Sequence, residues 1–217
     1  MSRRLRRWAA VGLLALAALV VVVAANLPYL PVVHGSTADE IEHLVAWLEI
    51  QPGMEVADLG AGDGTYAIAL ARRVGPSGHV YATEIDPDRL AAIRQAVKEA
   101  GLDNVTVIEG AVARTNLPDG CCDALYSRLV YHHLTEPDAL NADIRRALRP
   151  GGRLLVIDFE PGGALDWLAS PATAERHGGH GTPKDTVTKE VTAAGFELLR
   201  GPEPWRGKTY AVLFRRS

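Results

Sequence analysis

The chain has 217 residues, 47% of them apolar and 23% charged, the profile of one globular domain plus an appendage. Its formal charge of -3 hides an asymmetry: Arg3, Arg4, Arg6 and Arg7 open the chain and no acid precedes Asp39, which leaves 19 basic against 26 acidic residues, or -7, in the remainder. A mildly acidic domain is poorly suited to grip a phosphate backbone, so nucleic acid is not expected as a partner.

The four arginines are followed by an uncharged run from residue 8 to residue 33, almost wholly Ala, Val and Leu over residues 9–25. A helix of that length can cross about 30 Å of hydrocarbon. Residues 1–33 therefore read as a membrane anchor or a signal segment, with Val23-Ala24-Ala25 as a small-residue cleavage site in the second case. The basic flank should stay cytoplasmic, which places residues 34–217 outward: membrane-anchored or exported.

From Thr37 the pattern changes. Thr37-Ala38-Asp39-Glu40 predicts a helix start with a Thr cap, and Ile41, Leu44, Val45 and Leu48 recur at helical spacing. Strands are then predicted at residues 55–59, 79–84, 104–109, 122–128, 153–159, 196–200 and 209–215. Helices are predicted at 66–74, 87–100, 137–148 and 184–194. Cys121-Cys122 are expected to stay unpaired, because the ring closed by neighbouring cysteines is strained. Strand-helix alternation gives a parallel sheet covered on both faces. The last two strands, joined by residues 201–207, suit an antiparallel edge pair. Residues 161–183, glycine-rich and carrying His177 and His180, read as a loop or lid. No spacing among His34, His177 and His180 supports a metal, and loop solvation is the expectation.

The turn after the first strand holds Gly60, Gly62 and Gly64. Such a turn makes room for a ligand backbone and leaves helix N–H groups free to meet it. The dinucleotide fingerprint G-x-G-x-x-G is not matched, since Thr65 stands where the third glycine would fall. Glu84 ends the second strand, where a carboxylate can accept from a ribose diol.

These segments resemble the class I S-adenosylmethionine-dependent methyltransferases. Residues 56–64 match the family's first motif and 81–86 its ribose-binding strand. Residues 117–125 match the approach to the fourth strand and 148–154 the entry to the fifth. The resemblance implies a doubly wound, mostly parallel seven-stranded α/β sheet with an antiparallel last strand, a Rossmann-like methyltransferase fold. It implies S-adenosylmethionine as cofactor. Asp58, Gly60, Ala61, Gly62 and Gly64 would meet its methionine part, Glu84 its ribose and Ile85 its adenine. Many relatives carry an Asp after the third strand; here Ala111 stands there, so adenine contacts fall to backbone, Val112 or Ala113.

The fourth strand would aim its end at the transferable methyl. It runs through Ser127, a candidate cofactor contact, into Tyr131-His132-His133, candidates to line an acceptor pocket, with one His as base. The resemblance favours a small-molecule acceptor. Residues 101–107 look more like protein isoaspartate methyltransferases. A membrane-tethered protein that binds the cofactor without turnover is the third reading.

Overall fold

A computed structural model describes residues 36–162, 171 and 179–217. The N-terminal segment, His34 and His177 lie outside the described residues, and among those described no helix is long and apolar enough to cross a membrane.

Helix α1 (Thr37–Leu48) leads into β1 (Glu55–Leu59), α2 (Thr65–Val74), β2 (His79–Glu84), α3 (Pro87–Glu99) and β3 (Val105–Glu109). Then come β4 (Cys122–Arg128), a 3-10 turn (Tyr131–His133), α4 (Pro137–Ala147), β5 (Leu148–Phe159), α5 (Lys184–Ala193), β6 (Phe196–Pro204) and β7 (Thr209–Arg216). The α1 cap is Ser36 rather than the expected Thr37. Its hydroxyl accepts from Asp39 N at 3.1 Å while the Asp39 carboxylate accepts from Ser36 N at 2.9 Å, a reciprocal box that a Thr37 cap would not place in register.

The strands form one seven-stranded sheet in the order β3-β2-β1-β4-β5-β7-β6. β7 runs antiparallel between β5 and β6; the remaining pairs are parallel. Burial on both faces explains the apolar reading of β1 and β4. One layer packs Leu44, Leu48, Leu70, Val74 and Ile93 of α1–α3 on Val56 and Tyr126. The other packs Leu140, Ile144, Val187 and Val191 of α4 and α5 on Leu125 and Val156. The chain order reverses between β1 and β4, and a crevice opens there at the carboxyl ends of the strands, where open α/β sheets bind ligands.

Further expectations need correction. β5 begins at Leu148, not Arg153, because Leu148 pairs with Cys122 before a register shift, and Gly151 at φ +81° carries the chain through the bend. Cys121 and Cys122 are joined as a disulfide, both side chains buried against the α4 face.

Candidate functional site

The crevice is a cavity of about 820 Å³, and the glycine loop forms one wall. Each glycine has its own reason. Gly60, at φ +74°, lies so close to Val130 that an added Cβ would meet Cγ2 at 2.5 Å. Gly62, at φ +60°, has open space in front of it. Gly64 starts α2 without a side-chain cap, and a Cβ there would press on Ile93. The Gly60 and Ala61 amides both donate to Thr83 O, which ties the loop to β2.

Glu84 is buried at the end of β2. Its Oε1 accepts from Ile85 N at 2.7 Å and Asp86 N at 3.2 Å; Oε2 accepts from Gly62 N at 3.1 Å and lies 3.8 Å from Arg89. A carboxylate has roughly four acceptor sites, so Oε2 retains one for a ligand hydroxyl. Beyond it, Ile85 and Val112 line the cavity while 61% and 51% exposed, an arrangement that leaves an apolar slot for a flat ring. Val112 projects because Ala111 and Arg114 exchange backbone hydrogen bonds around a tight turn. That turn uses the backbone of Ala111, so neither its side chain nor its amide is left to read an adenine edge.

Asp58 stands one residue before the end of β1, on the other side of the loop. It is 3% exposed, and its Oδ2 has no hydrogen-bond partner among the described residues. Burial pushes its pKa up to about 7, against the opposing effects of the Tyr126 hydroxyl and the Arg128 charge; Glu84 and Asp63 add to the rise. A buried carboxylate left unpaired at a cavity wall calls for a cationic or proton-donating ligand.

The predicted acceptor residues separate. His133 lines the cavity at its exposed rim. Desolvation first, then the neighbouring His132 ring, holds its pKa below the usual imidazole value. His132 is buried and clasped by Asp158 of β5, which accepts from His132 N at 2.8 Å and from Nδ1 at 2.9 Å. His180 packs its ring on His132 (4.9 Å) and Phe159 (5.1 Å), rather than standing in solvent as expected. Tyr131 is drawn into the α4–α5 layer, donating to Glu190 and accepting from Asn141, and does not line the cavity. Ser127 is also buried outside the lining, because β4 points alternate residues to opposite faces and its neighbour Arg128 takes the cavity side. Among the described residues no group of three His, Cys, Asp or Glu side chains is placed to hold a metal.

Several site residues escaped the sequence reading: Asp158, Arg128, Tyr126, Tyr66 and Glu40. Asp158 had a signal, being one acid in the otherwise apolar run of residues 154–159, where burial demands a partner. Arg128 had a weaker one, as a cation ending a buried strand.

The cavity therefore offers a ribose acceptor, an apolar slot beside it and an unpaired buried carboxylate beyond the glycine loop, the parts that an adenosyl amino acid requires. Residues 57–156 match the family described as a methyltransferase domain. The ubiquinone/menaquinone biosynthesis C-methyltransferase UbiE of Bordetella avium is 36% identical over 110 residues, which cover 51% of this chain and 43% of that protein. The protein of the same description from Paraburkholderia phymatum is 32% identical over 115 residues, 53% of this chain and 47% of that one. The chain thus matches less than half the length of these curated relatives. A solved S-adenosylmethionine-dependent methyltransferase from Aquifex aeolicus superposes with a TM-score of 0.69 at 25% identity, covering 82% of this chain and 89% of that one. Over residues 57–156 the sequence matches a methyltransferase domain, and in fold the chain is similar to the class I S-adenosylmethionine-dependent methyltransferases.

Proposed function

We propose that this chain transfers a methyl group from S-adenosylmethionine to a small molecule. The observation that carries the reading is the unpaired Asp58 carboxylate in the same cavity as the Glu84 cradle and the Ile85–Val112 slot. The cofactor would supply a methyl group activated by its sulfonium charge. The chain's own work is mostly alignment, since proximity and orientation provide much of the rate in such a displacement. Glu84 would hold the ribose, Ile85 and Val112 the adenine, and the loop glycines the approach to the methionine part. Leu129, Val130, Leu134 and Leu140 give the acceptor end an apolar wall that excludes water. His133, at the rim with a lowered pKa, is suited to take a proton at a ring nitrogen from an acceptor hydroxyl. His132, oriented by Asp158, would back it through the ring contact at 4.0 Å.

The curated relatives are named as C-methyltransferases of quinone biosynthesis, which supports a small, largely apolar acceptor over a protein carboxyl group. The N-terminal run supports a membrane setting. Thr37 lines the cavity, and the four residue steps from Val33 to Thr37 span at most about 14 Å, so a run seated in lipid would hold the cavity mouth near the bilayer. The domain would face outward, with the basic flank cytoplasmic.

Labelled methyl transfer tests the reaction. The full-length protein, given labelled cofactor and separate pools of membrane lipid extract, water-soluble metabolites and isoaspartyl peptide, should label the lipid extract. Label in the peptide would restore the carboxyl methyltransferase reading. Cofactor binding without transfer to any pool would favour the non-catalytic one. A reporter fused after Ser217 tests the topology; a cytoplasmic signal overturns the outward placement.

A further inference from the structure

The cofactor assigned above ends in an α-amino acid, one ammonium and one carboxylate. Asp58 offers a partner for the cation, and the glycine loop contributes no side chain for the anion. Three arginines line the cavity: Arg89, Arg114 and Arg128. Arg89 lies beside Glu84 and Arg114 closes the Val112 turn, so both belong to the adenosine end. Arg128 stands at the other end. It follows Ser127, which pairs with Leu59 across the β1–β4 boundary, and its charge is felt at Asp58.

We infer that Arg128 reads the α-carboxylate of the bound cofactor and forms with Asp58 a subsite for a zwitterionic amino acid, an inference that rests on the cofactor assignment. The guanidinium is held along one edge and one face. Nε donates to Glu40 Oε1 at 2.8 Å and Nη2 to Glu40 Oε2 at 3.2 Å, and the Tyr66 ring lies under the group at 5.0 Å. Nη1 makes no hydrogen bond among the described residues, and the side chain is 31% exposed. Glu40 does not depend on Arg128 for its position. Arg206 Nη1 donates to Oε2 at 2.7 Å, Tyr66 Oη to Oε2 at 2.7 Å and Trp205 Nε1 to Oε1 at 3.1 Å. One carboxylate is thus shared between two guanidinium groups, and the free edge of Arg128 keeps charge and donors for a second carboxylate. Glu40 sits on α1 and Arg206 beside the β6–β7 link, so these elements act as positioning residues behind the subsite.

The test compares S-adenosylmethionine with its decarboxylated form, which keeps the adenosine, the sulfonium and the amine. Titration calorimetry on the full-length protein should show wild type binding the decarboxylated ligand at least about 10-fold more weakly, the range for a lost charged hydrogen bond. Arg128→Gln should weaken the complete cofactor by about 10- to 100-fold and leave the decarboxylated ligand within about twofold. Arg128→Lys keeps the cation without the planar fork and should lie between them, which guards against a loss caused by misfolding. Equal weakening of both ligands in Arg128→Gln, or no preference in wild type, overturns the inference while leaving the cofactor assignment standing. Binding of neither ligand by wild type overturns the assignment itself.

Discussion

Asp58 and Glu84 are carboxylates at neighbouring strand ends, yet they are held differently. Glu84 is fixed by three backbone amides; Asp58 keeps an oxygen without a partner. Asp58 has a folded pKa of about 7, above the ordinary 3.8, so the folded chain binds more protons than the unfolded chain in that window. Stability should therefore fall as pH rises through it, by an amount on the order of a few kcal/mol. Asp58→Asn removes that cost. The ligand-free variant should melt higher than wild type at pH 8 and lose the advantage at pH 4, while binding the cofactor more weakly; thermal melts at both pH values check the first part. Wild-type affinity for the cofactor should likewise decline below pH 7 as Asp58 protonates. Glu84→Ala should cost about 1–3 kcal/mol of cofactor affinity, and an unchanged dissociation constant would remove Glu84 from the site. Tyr131→Phe separates fold from chemistry. It should lower the melting temperature, through the lost bonds to Glu190 and Asn141, and leave methyl transfer per folded molecule unchanged.

The glycine loop and the acid at Glu84 were legible because each depends on local spacing. The fates of Tyr131, His132 and Ser127 were not. Which of three adjacent residues faces a cavity depends on the 3-10 turn after β4, and on an acid, Asp158, that lies 26 residues further along. Leu129 adds to this: it adopts φ +58°, a conformation costly for a side chain of its kind, and redirects the chain just before the turn.

At the scale of elements, the loop between β1 and α2 makes the sharpest prediction. Gly60→Ala meets both a positive φ and the Val130 side chain; Gly62→Ala meets only the positive φ. Gly60→Ala should therefore destabilise the ligand-free protein by about 2–4 kcal/mol and Gly62→Ala by about 1 kcal/mol. Denaturant unfolding of the two variants gives the comparison, and equal costs would contradict the packing described for Val130. Most element boundaries were readable within a few residues, since Pro and Gly punctuate them. The exceptions were set by partners distant in sequence. β5 is lengthened by Leu148 pairing with Cys122, β6 reaches Pro204 because β7 lies alongside it, and the α1 cap moves to Ser36 because Asp39 reciprocates.

At the scale of the molecule, the order of strands and helices carried the doubly wound sheet, and the strand-to-strand ending carried its antiparallel edge. Sequence alone did not show that α1 is bound over the cavity end by contacts to β6 and to the β6–β7 link. Trp205 stacks on His43 at 4.1 Å, and Arg200 lies 4.0 Å over the Trp47 ring. These pairs join residues more than 150 positions apart, and no periodicity announces them. The most direct measurement is a calorimetric titration of the full-length protein with S-adenosylmethionine. Saturable binding of one molecule per chain, competed by the demethylated product, is the expected result. An absence of binding at millimolar ligand would contradict the assignment of this cavity as the cofactor site.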